Sequence, residues 1–195
     1  MPEDNEISFV QMSGAPGSGK STLARLIAEA IGGIAIDHDQ IRTFFLDQEI
    51  SFSDSARLAY GIQWIYADNI LSQGKSVIMD STCNYEETLD QGTTLSRKYG
   101  CRYQYVECKL DDLEALDDRL RARSSLRSQR RGIASPPVDS VTGDTDTTLD
   151  HRALFRKWID APCRPEAGYI VVDSRCEPRT CLDQVLAHMY VHPHA

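Results

Sequence analysis

The chain has 195 residues, enough for one α/β domain with a sizeable core and short for two. Hydrophobic residues make up 41% and charged residues 26% of it, which excludes wholesale disorder. The formal net charge of -8 weighs against a long nucleic-acid duplex as partner, since such binding rests on Lys and Arg neutralising phosphates; a local basic groove remains compatible with it. No run approaches the roughly 20 apolar residues that span a bilayer. The start, Met1-Pro2-Glu3-Asp4-Asn5-Glu6, lacks the basic and apolar regions of a signal peptide, so a cytoplasmic protein is expected. Six cysteines, Cys83, Cys101, Cys108, Cys163, Cys176 and Cys181, form no C-x-x-C pair and match no zinc spacing. They read as free thiols, several in core strands, with a Cys176–Cys181 disulfide disfavoured.

Apolar runs alternate with helical patterns, as in stacked β-α units around a parallel sheet. The first strand is predicted over Ile7–Ser13. A helix follows over Lys20–Ile31, with Leu23, Ile27, Ala30 and Ile31 on one face, and Gly32-Gly33 stops it. Ile34–Asp37 is a short second strand, and Asp39 opens a further helix. Ser53–Gln73 reads as a long helix capped by Ser53 or Asp54 and ended by Gly74. The third strand, Ser76–Asp80, is apolar on both faces through Val77-Ile78-Met79, as a central parallel strand is. A helix over about Tyr85–Tyr99 leads to Gly100 and a fourth strand, Arg102–Cys108. Asp111–Arg123 is helical, acidic first and basic last, in keeping with the helix dipole. Ser124–Arg131 carries three arginines, and Gly132–Asp150 is a Gly/Pro/Ser/Thr/Asp-rich stretch predicted as a mobile loop. Helix returns over His151–Ile159, a fifth strand over Tyr169–Asp173 and a last helix over Arg179–Tyr190, before a frayed tail at His192–Ala195.

Gly14-Ala15-Pro16-Gly17-Ser18-Gly19-Lys20-Ser21-Thr22 fits G-x-x-x-x-G-K-[ST] between a predicted strand and a predicted helix. The glycines let backbone N–H groups converge on an anion, and the helix offers its positive end. Lys20 supplies a point charge for the β- and γ-phosphates, and Ser21 a hydroxyl for magnesium. The expected cofactors are therefore a nucleoside triphosphate, ATP by default, and Mg2+. A P-loop enzyme also needs a carboxylate near the metal. Asp80, at the carboxyl end of the third strand, is the candidate, since ligands gather at such strand ends; otherwise it caps the segment from Ser81.

The acceptor side is expected at Asp37-His38-Asp39-Gln40-Ile41-Arg42. Transfer to a hydroxyl needs a carboxylate for the proton and a cation near the transferring charge. On spacing alone the segment reads equally as a helix cap, Asp37 or Asp39, with Arg42 in a surface pair. Tyr60, Trp64 and Phe52 lie on or beside the long helix and read first as core, second as acceptor lining. His38 reads first as a polar partner and second as a group that tunes the neighbouring carboxylate or contacts substrate, Cys83 reads as a packing residue, and Thr82 and Asn84 as weak acceptor contacts.

The P-loop, the D-x-x-R formed by Asp39 and Arg42, and a third strand ending in Asp80-Ser81-Thr82 resemble the kinase domain of polynucleotide 5′-hydroxyl kinases. They resemble equally the related small P-loop kinases grouped as AAA_33-like and zeta-toxin-related. The resemblance implies that Asp39 is the general base and that Arg42 holds the acceptor side. Arg127-Ser128-Gln129-Arg130-Arg131-Gly132, followed by Pro137-Val138-Asp139, is similar to the family's lid. It implies that Arg127 and Arg131 reach over the phosphates, with Arg123 and Arg130 as lesser candidates. Phe155–Pro162 echoes the family's aromatic-x-x-Pro, and the polar run from Thr142 to Thr148 departs from its pattern.

Together these readings predict one α/β domain over residues 1–195 with a three-layer P-loop NTPase fold. Five parallel strands are expected in the order 2-3-1-4-5, helices on both faces, and an Arg-rich lid and mobile loop at about 123–150. The expected activity is transfer of the γ-phosphoryl of ATP to a hydroxyl of a small molecule. The alternatives are a polynucleotide 5′-hydroxyl kinase, with a nucleic-acid 5′ end as partner, and a nucleotide-binding switch without an acceptor. No membrane partner is expected.

Overall fold

A computed structural model describes residues 7–82, 84–141 and 150–191. The readings that fall on Cys83, on 142–149 and on the tail at 192–195 lie outside them. The strands are β1 (Ser8–Ser13), β2 (Ile34–Asp37), β3 (Val77–Asp80), β4 (Arg102–Lys109) and β5 (Tyr169–Asp173). They pair in parallel in the order β2-β3-β1-β4-β5, the order expected. β1 sits at the centre, and each of its residues is buried. With neighbours on both edges and helices on both faces it has no solvent side, which is why Ser8–Ser13 shows no polar alternation.

The helices are α1 (Lys20–Ile31), α2 (His38–Asp47), α3 (Phe52–Ser72), α4 (Glu86–Tyr99), α5 (Leu113–Ala122), α6 (His151–Asp160) and α7 (Pro178–Val191). α1 and α7 cover one sheet face, where Leu23, Ala24 and Ile27 meet Val10, Met12, Ile78, Val106 and Val172 beside Leu182 and Val185. α3 and α4 cover the other, where Ala67 and Leu71 meet Phe9, Ile36, Val77 and Met79. Beyond the sheet, α5 and α6 enclose a satellite core of Leu113, Leu116, Leu120, Ile133, Phe155 and Ile159 that also takes in Ala15 of the loop after β1. This three-layer α/β arrangement puts the loop after β1, the ends of β2 and β3, and the start of α5 on one edge of the sheet.

Local chemistry sets most boundaries. Gly32 ends α1 at φ 63 and Gly100 ends α4 at φ 60, left-handed positions that favour glycine. Asp112 caps α5 by accepting from the amides of Glu114 and Ala115 at 2.9 and 3.2 Å, so that helix starts after the predicted Asp111. α3 starts one residue before its predicted Ser53: Ser51 Oγ accepts from the Asp54 amide at 3.1 Å and donates to its carboxylate at 2.8 Å. The cap is Ser51, and Asp54 is its third-position partner.

The larger correction concerns the predicted mobile loop from Gly132. Up to Val141 the chain is fastened to the body. Gly132 bridges Ser135, the Ile133 amide donates to Asp117 Oδ1 at 2.6 Å, Ile133 is buried against α5 and α6, and Val138–Val141 forms a 3-10 turn. One apolar side chain and one carboxylate acceptor outweigh the Gly/Pro/Ser composition that signalled a loop. The five cysteines that are described are free thiols, so Cys176 and Cys181 form no disulfide. No helix among the described residues is long and apolar enough to cross a membrane.

Candidate active site

A cleft of about 780 Å³ opens along the carboxyl edge of the sheet. Pro16 to Leu23 line its floor, His38, Asp39 and Thr82 one end, Ser174 to Pro178 the other, and Arg119, Arg123 and Arg130 the wall between. The floor is the predicted phosphate loop. Gly14, Gly17 and Gly19 have φ of 130, 87 and 93°. A Cβ on Gly14 would lie 2.3 Å from the Cys108 carbonyl oxygen, whereas one on Gly19 would meet nothing within 4 Å. Gly14 is therefore required by its neighbours and Gly19 by its backbone, and the space over Gly19 stays open for an anion. α1 begins immediately after Gly19 with its first amides directed to that space. The Ser18 hydroxyl is buried and without a partner, a second polar group that a phosphate oxygen would satisfy.

Lys20 Nζ donates to Gly14 O at 2.8 Å and Ala15 O at 3.0 Å, so its charge rests against the loop. Burial lowers its pKa, and the nearby Asp80 carboxylate opposes that. Asp80 is buried and accepts a hydrogen bond from Ser21. Burial pushes its pKa up to about 6, with the Ser21 bond and the Lys20 charge pulling the other way. Among the described residues no cluster of three or more His, Cys, Asp or Glu forms a metal cage. One carboxylate with one hydroxyl fits magnesium, which takes much of its shell from water and phosphate oxygens. The Cys108 thiol lies under the same floor, and burial pushes its pKa up to about 12, which leaves it an inert packing group.

The two aspartates left open by spacing take different positions. Asp37 is the cap of α2: its Oδ1 accepts from the amides of Asp39 and Gln40 at 3.0 and 3.2 Å, and its Oδ2 from Gln40 Nε2 at 3.0 Å. Asp39, two residues on, faces the cleft. Its Oδ2 accepts from Gln129 Nε2 at 2.8 Å, and its carbonyl oxygen accepts from Ser128 Oγ at 2.9 Å. Ser128 is stapled in turn to Thr43, its hydroxyl accepting from Thr43 Oγ1 at 2.9 Å and its amide donating back at 3.2 Å. The arginine-rich segment is thereby anchored on α2 beside Asp39.

The arginines sort differently from the resemblance. Arg42 does not line the cleft. Its Nη2 donates to Phe52 O at 2.9 Å, its Nε to Ser55 Oγ at 3.4 Å, and its guanidinium lies 3.8 Å over the Phe52 ring. It braces the α2–α3 connection and reaches Asp39 only through its field. Arg127 pairs with Asp139 at 2.7 and 2.8 Å and approaches Asp47 at 3.5 Å, and Arg131 is exposed; neither lines the cleft. Asp139 and Asp47 hold Arg127, and Arg131 sits exposed next to the Gly132–Ser135 bridge. Arg123 and Arg130 take the cleft positions instead. Arg123 donates to Arg130 O at 3.2 Å, Arg130 donates to Ile133 O at 3.0 Å, and each keeps a buried Nε without a partner.

Several cleft residues escaped the sequence reading. Gln129 lies between the predicted lid arginines, and Arg119 reaches the cleft from α5 while donating to Ser174 O at 2.8 Å. Gln63 is fully buried and contacts His38 Nδ1 at 3.0 Å. A signal for it existed: Ala59, Gln63, Ala67 and Leu71 share the buried stripe of α3, and an amide on such a stripe needs a polar partner. Of the aromatics, Trp64 stacks on Phe9 with centroids 6.1 Å apart, and Tyr60 packs on the His38 ring at 4.3 Å and hydrogen-bonds Thr82. Neither these two nor Phe52 lines the cleft, nor does Asn84, whereas Thr82 does.

Solved structures share this architecture. A candidate kinase from Chloroflexus aurantiacus superposes with a TM-score of 0.71 at 19% identity, over 94% of this chain and 98% of that one. A sugar kinase from Janibacter gives 0.61 at 17% identity over 96% of each chain. A gluconokinase from Sinorhizobium meliloti gives 0.59 at 17% identity over 98% of this chain and all of its own. At these identities the likeness establishes the fold, a P-loop fold shared with kinases. No curated protein matches the sequence. A family model described as an AAA domain, AAA_33, matches residues 9–134, more than half of the chain, and the chain belongs to that family.

Proposed function

We propose that this protein is an ATP-dependent kinase that transfers the γ-phosphoryl group to a hydroxyl of a small-molecule acceptor. One observation carries the reading: a single cleft has the phosphate loop as its floor and the Asp39 carboxylate at its end. That carboxylate is fixed through Oδ2 by Gln129, and Oδ1 takes no hydrogen bond among the described residues. A nucleotide switch needs no such base.

In this mechanism the loop amides and Lys20 hold the β- and γ-phosphates, and Ser21 with Asp80 would hold magnesium. The metal, when bound, draws electron density from the phosphate oxygens and eases departure of ADP. Asp39 Oδ1 accepts the acceptor's hydroxyl proton as its oxygen bonds to the γ-phosphorus, while the bond from that phosphorus to the β–γ bridging oxygen breaks. Arg123 and Arg130 face the charge that spreads over the transferring group, the duty first expected of Arg127 and Arg131. Arg42 steadies the base through its field and its brace on α3. The far end, Ser174 to Pro178, receives the nucleoside.

The shared fold with a sugar kinase and a gluconokinase supports a small acceptor over a polynucleotide. The test is transfer of label from γ-labelled ATP to sugars, polyols, nucleosides and a 5′-hydroxyl oligonucleotide. Label on a small molecule is the expected result. Label on the oligonucleotide alone contradicts the acceptor class, and ATP binding without transfer to any acceptor contradicts the kinase reading.

A further inference from the structure

His38 occupies an unusual position for a histidine beside a catalytic carboxylate. It is buried at the start of α2 yet lines the cleft. Its Nδ1 contacts Gln63 Oε1 at 3.0 Å, and an amide oxygen can only accept, so Nδ1 carries the proton. Nε2 is then the lone-pair nitrogen. No hydrogen bond to Nε2 forms among the described residues, and the residue borders the cleft. The ring is immobilised: Tyr60 packs on it with centroids 4.3 Å apart, and Tyr60 is itself tied to Thr82 on the cleft wall. Gln63, fully buried on α3, meets this ring through Oε1, while its Nε2 has no partner among the described residues. Burial lowers the His38 pKa against the pull of Asp39, a direction that favours the neutral ring.

We propose that His38 Nε2 is a specificity-determining acceptor for a second hydroxyl of the substrate, so that the kinase takes neutral polyols bearing a hydroxyl near the one phosphorylated by way of Asp39. The inference rests on the kinase reading above and narrows it. A neutral imidazole with its lone pair turned to the cleft accepts a hydrogen bond from an O–H and offers nothing to a carboxylate or phosphate. Arg42, the cation of α2, is committed to Phe52 and Ser55, so α2 itself offers no cation to an anionic substituent beside His38. Sites built to bond a particular hydroxyl reject the analogue without it, because the protein group is then left unpaired.

The experiment has two arms. The protein is first assayed with labelled ATP against neutral polyols (glycerol, pentitols, aldohexoses and inositol) and against anionic sugar acids and sugar phosphates. Transfer to a neutral polyol is expected. Transfer to the anionic acceptors alone overturns this inference while the kinase reading stands, and no transfer to any acceptor by a protein that still binds ATP overturns the kinase reading. In the second arm the best polyol is compared with its deoxy analogues. The wild-type protein should prefer the polyol by about tenfold in kcat/KM over one analogue. His38→Leu should reduce that ratio to near one, and His38→Gln, which restores an acceptor oxygen, should recover part of it. A merely structural histidine would lower both substrates together and leave the ratio intact, which overturns the assignment. If either variant unfolds, nitrogen NMR of the wild-type imidazole decides: Nδ1–H with an Nε2 shift that responds to the polyol is expected, and an Nε2–H tautomer contradicts the proposal.

Discussion

The floor of the cleft and the end at Asp39 are built by different means. The floor centres on nine contiguous residues, Gly14 to Thr22, whose shape comes from three positive-φ glycines and the start of α1. The end at Asp39 is assembled from parts far apart in the chain. Asp39 is fixed by Gln129, 90 positions away, and His38 by Gln63, 25 positions away. The difference teaches that the proposed phosphate-binding part is mostly a local motif, whereas the part proposed to select and deprotonate an acceptor exists only once α2, α3 and the segment after α5 have docked. Perturbing the first should damage binding and turnover together; perturbing the second should damage turnover or selectivity with nucleotide binding intact.

The sharpest break at the floor is Lys20→Ala. It should weaken ATP binding and reduce kcat/KM by about 10³-fold, read by calorimetry and by transfer of labelled phosphate; wild-type affinity would remove Lys20 from the phosphate site. Next comes the wall between the ends. Arg130→Ala should lower kcat by about 10²-fold, and Arg127→Ala, outside the cleft lining, should change it by less than about twofold. The reverse order in steady-state assays would restore the lid roles that the motif resemblance implied. Gln129→Leu should cost about tenfold in kcat with ATP affinity unchanged, because it frees Asp39 Oδ2 without touching the phosphate loop. Equal loss of binding and rate would mean that Gln129 supports the loop and not the base.

The fold was legible because its signals are local. Val77-Ile78-Met79 could only be a strand buried on both faces, and Gly32 and Gly100 could only end helices at the left-handed positions they occupy. The P-loop and Asp80 were legible for the same reason: a strand end fixes where they lie. What could not be read was which of several equivalent side chains turns inward. Asp37 and Asp39 differ in spacing by two residues, and the difference is decided by Asp37 taking the two amides at the start of α2. Arg127 and Arg130 differ by three, and Asp139 and Asp47 decide between them by holding Arg127. Gln129 gave no signal, since its partner lies on another element. Gln63 gave one, as a polar residue on an apolar helical stripe, and composition masked Ile133 as an anchor of the segment after Gly132.

The central claim is that one cleft holds a donor loop and a separate proton acceptor, Asp39. The measurement that tests it most directly is the paired determination of ATP affinity and phosphoryl transfer in Asp39→Asn. The substitution keeps the shape and the hydrogen-bonding partner Gln129 while removing the base. The account predicts wild-type ATP affinity with kcat lowered by about 10²–10⁴-fold. Transfer at the wild-type rate would contradict it, since the proton would then have another destination.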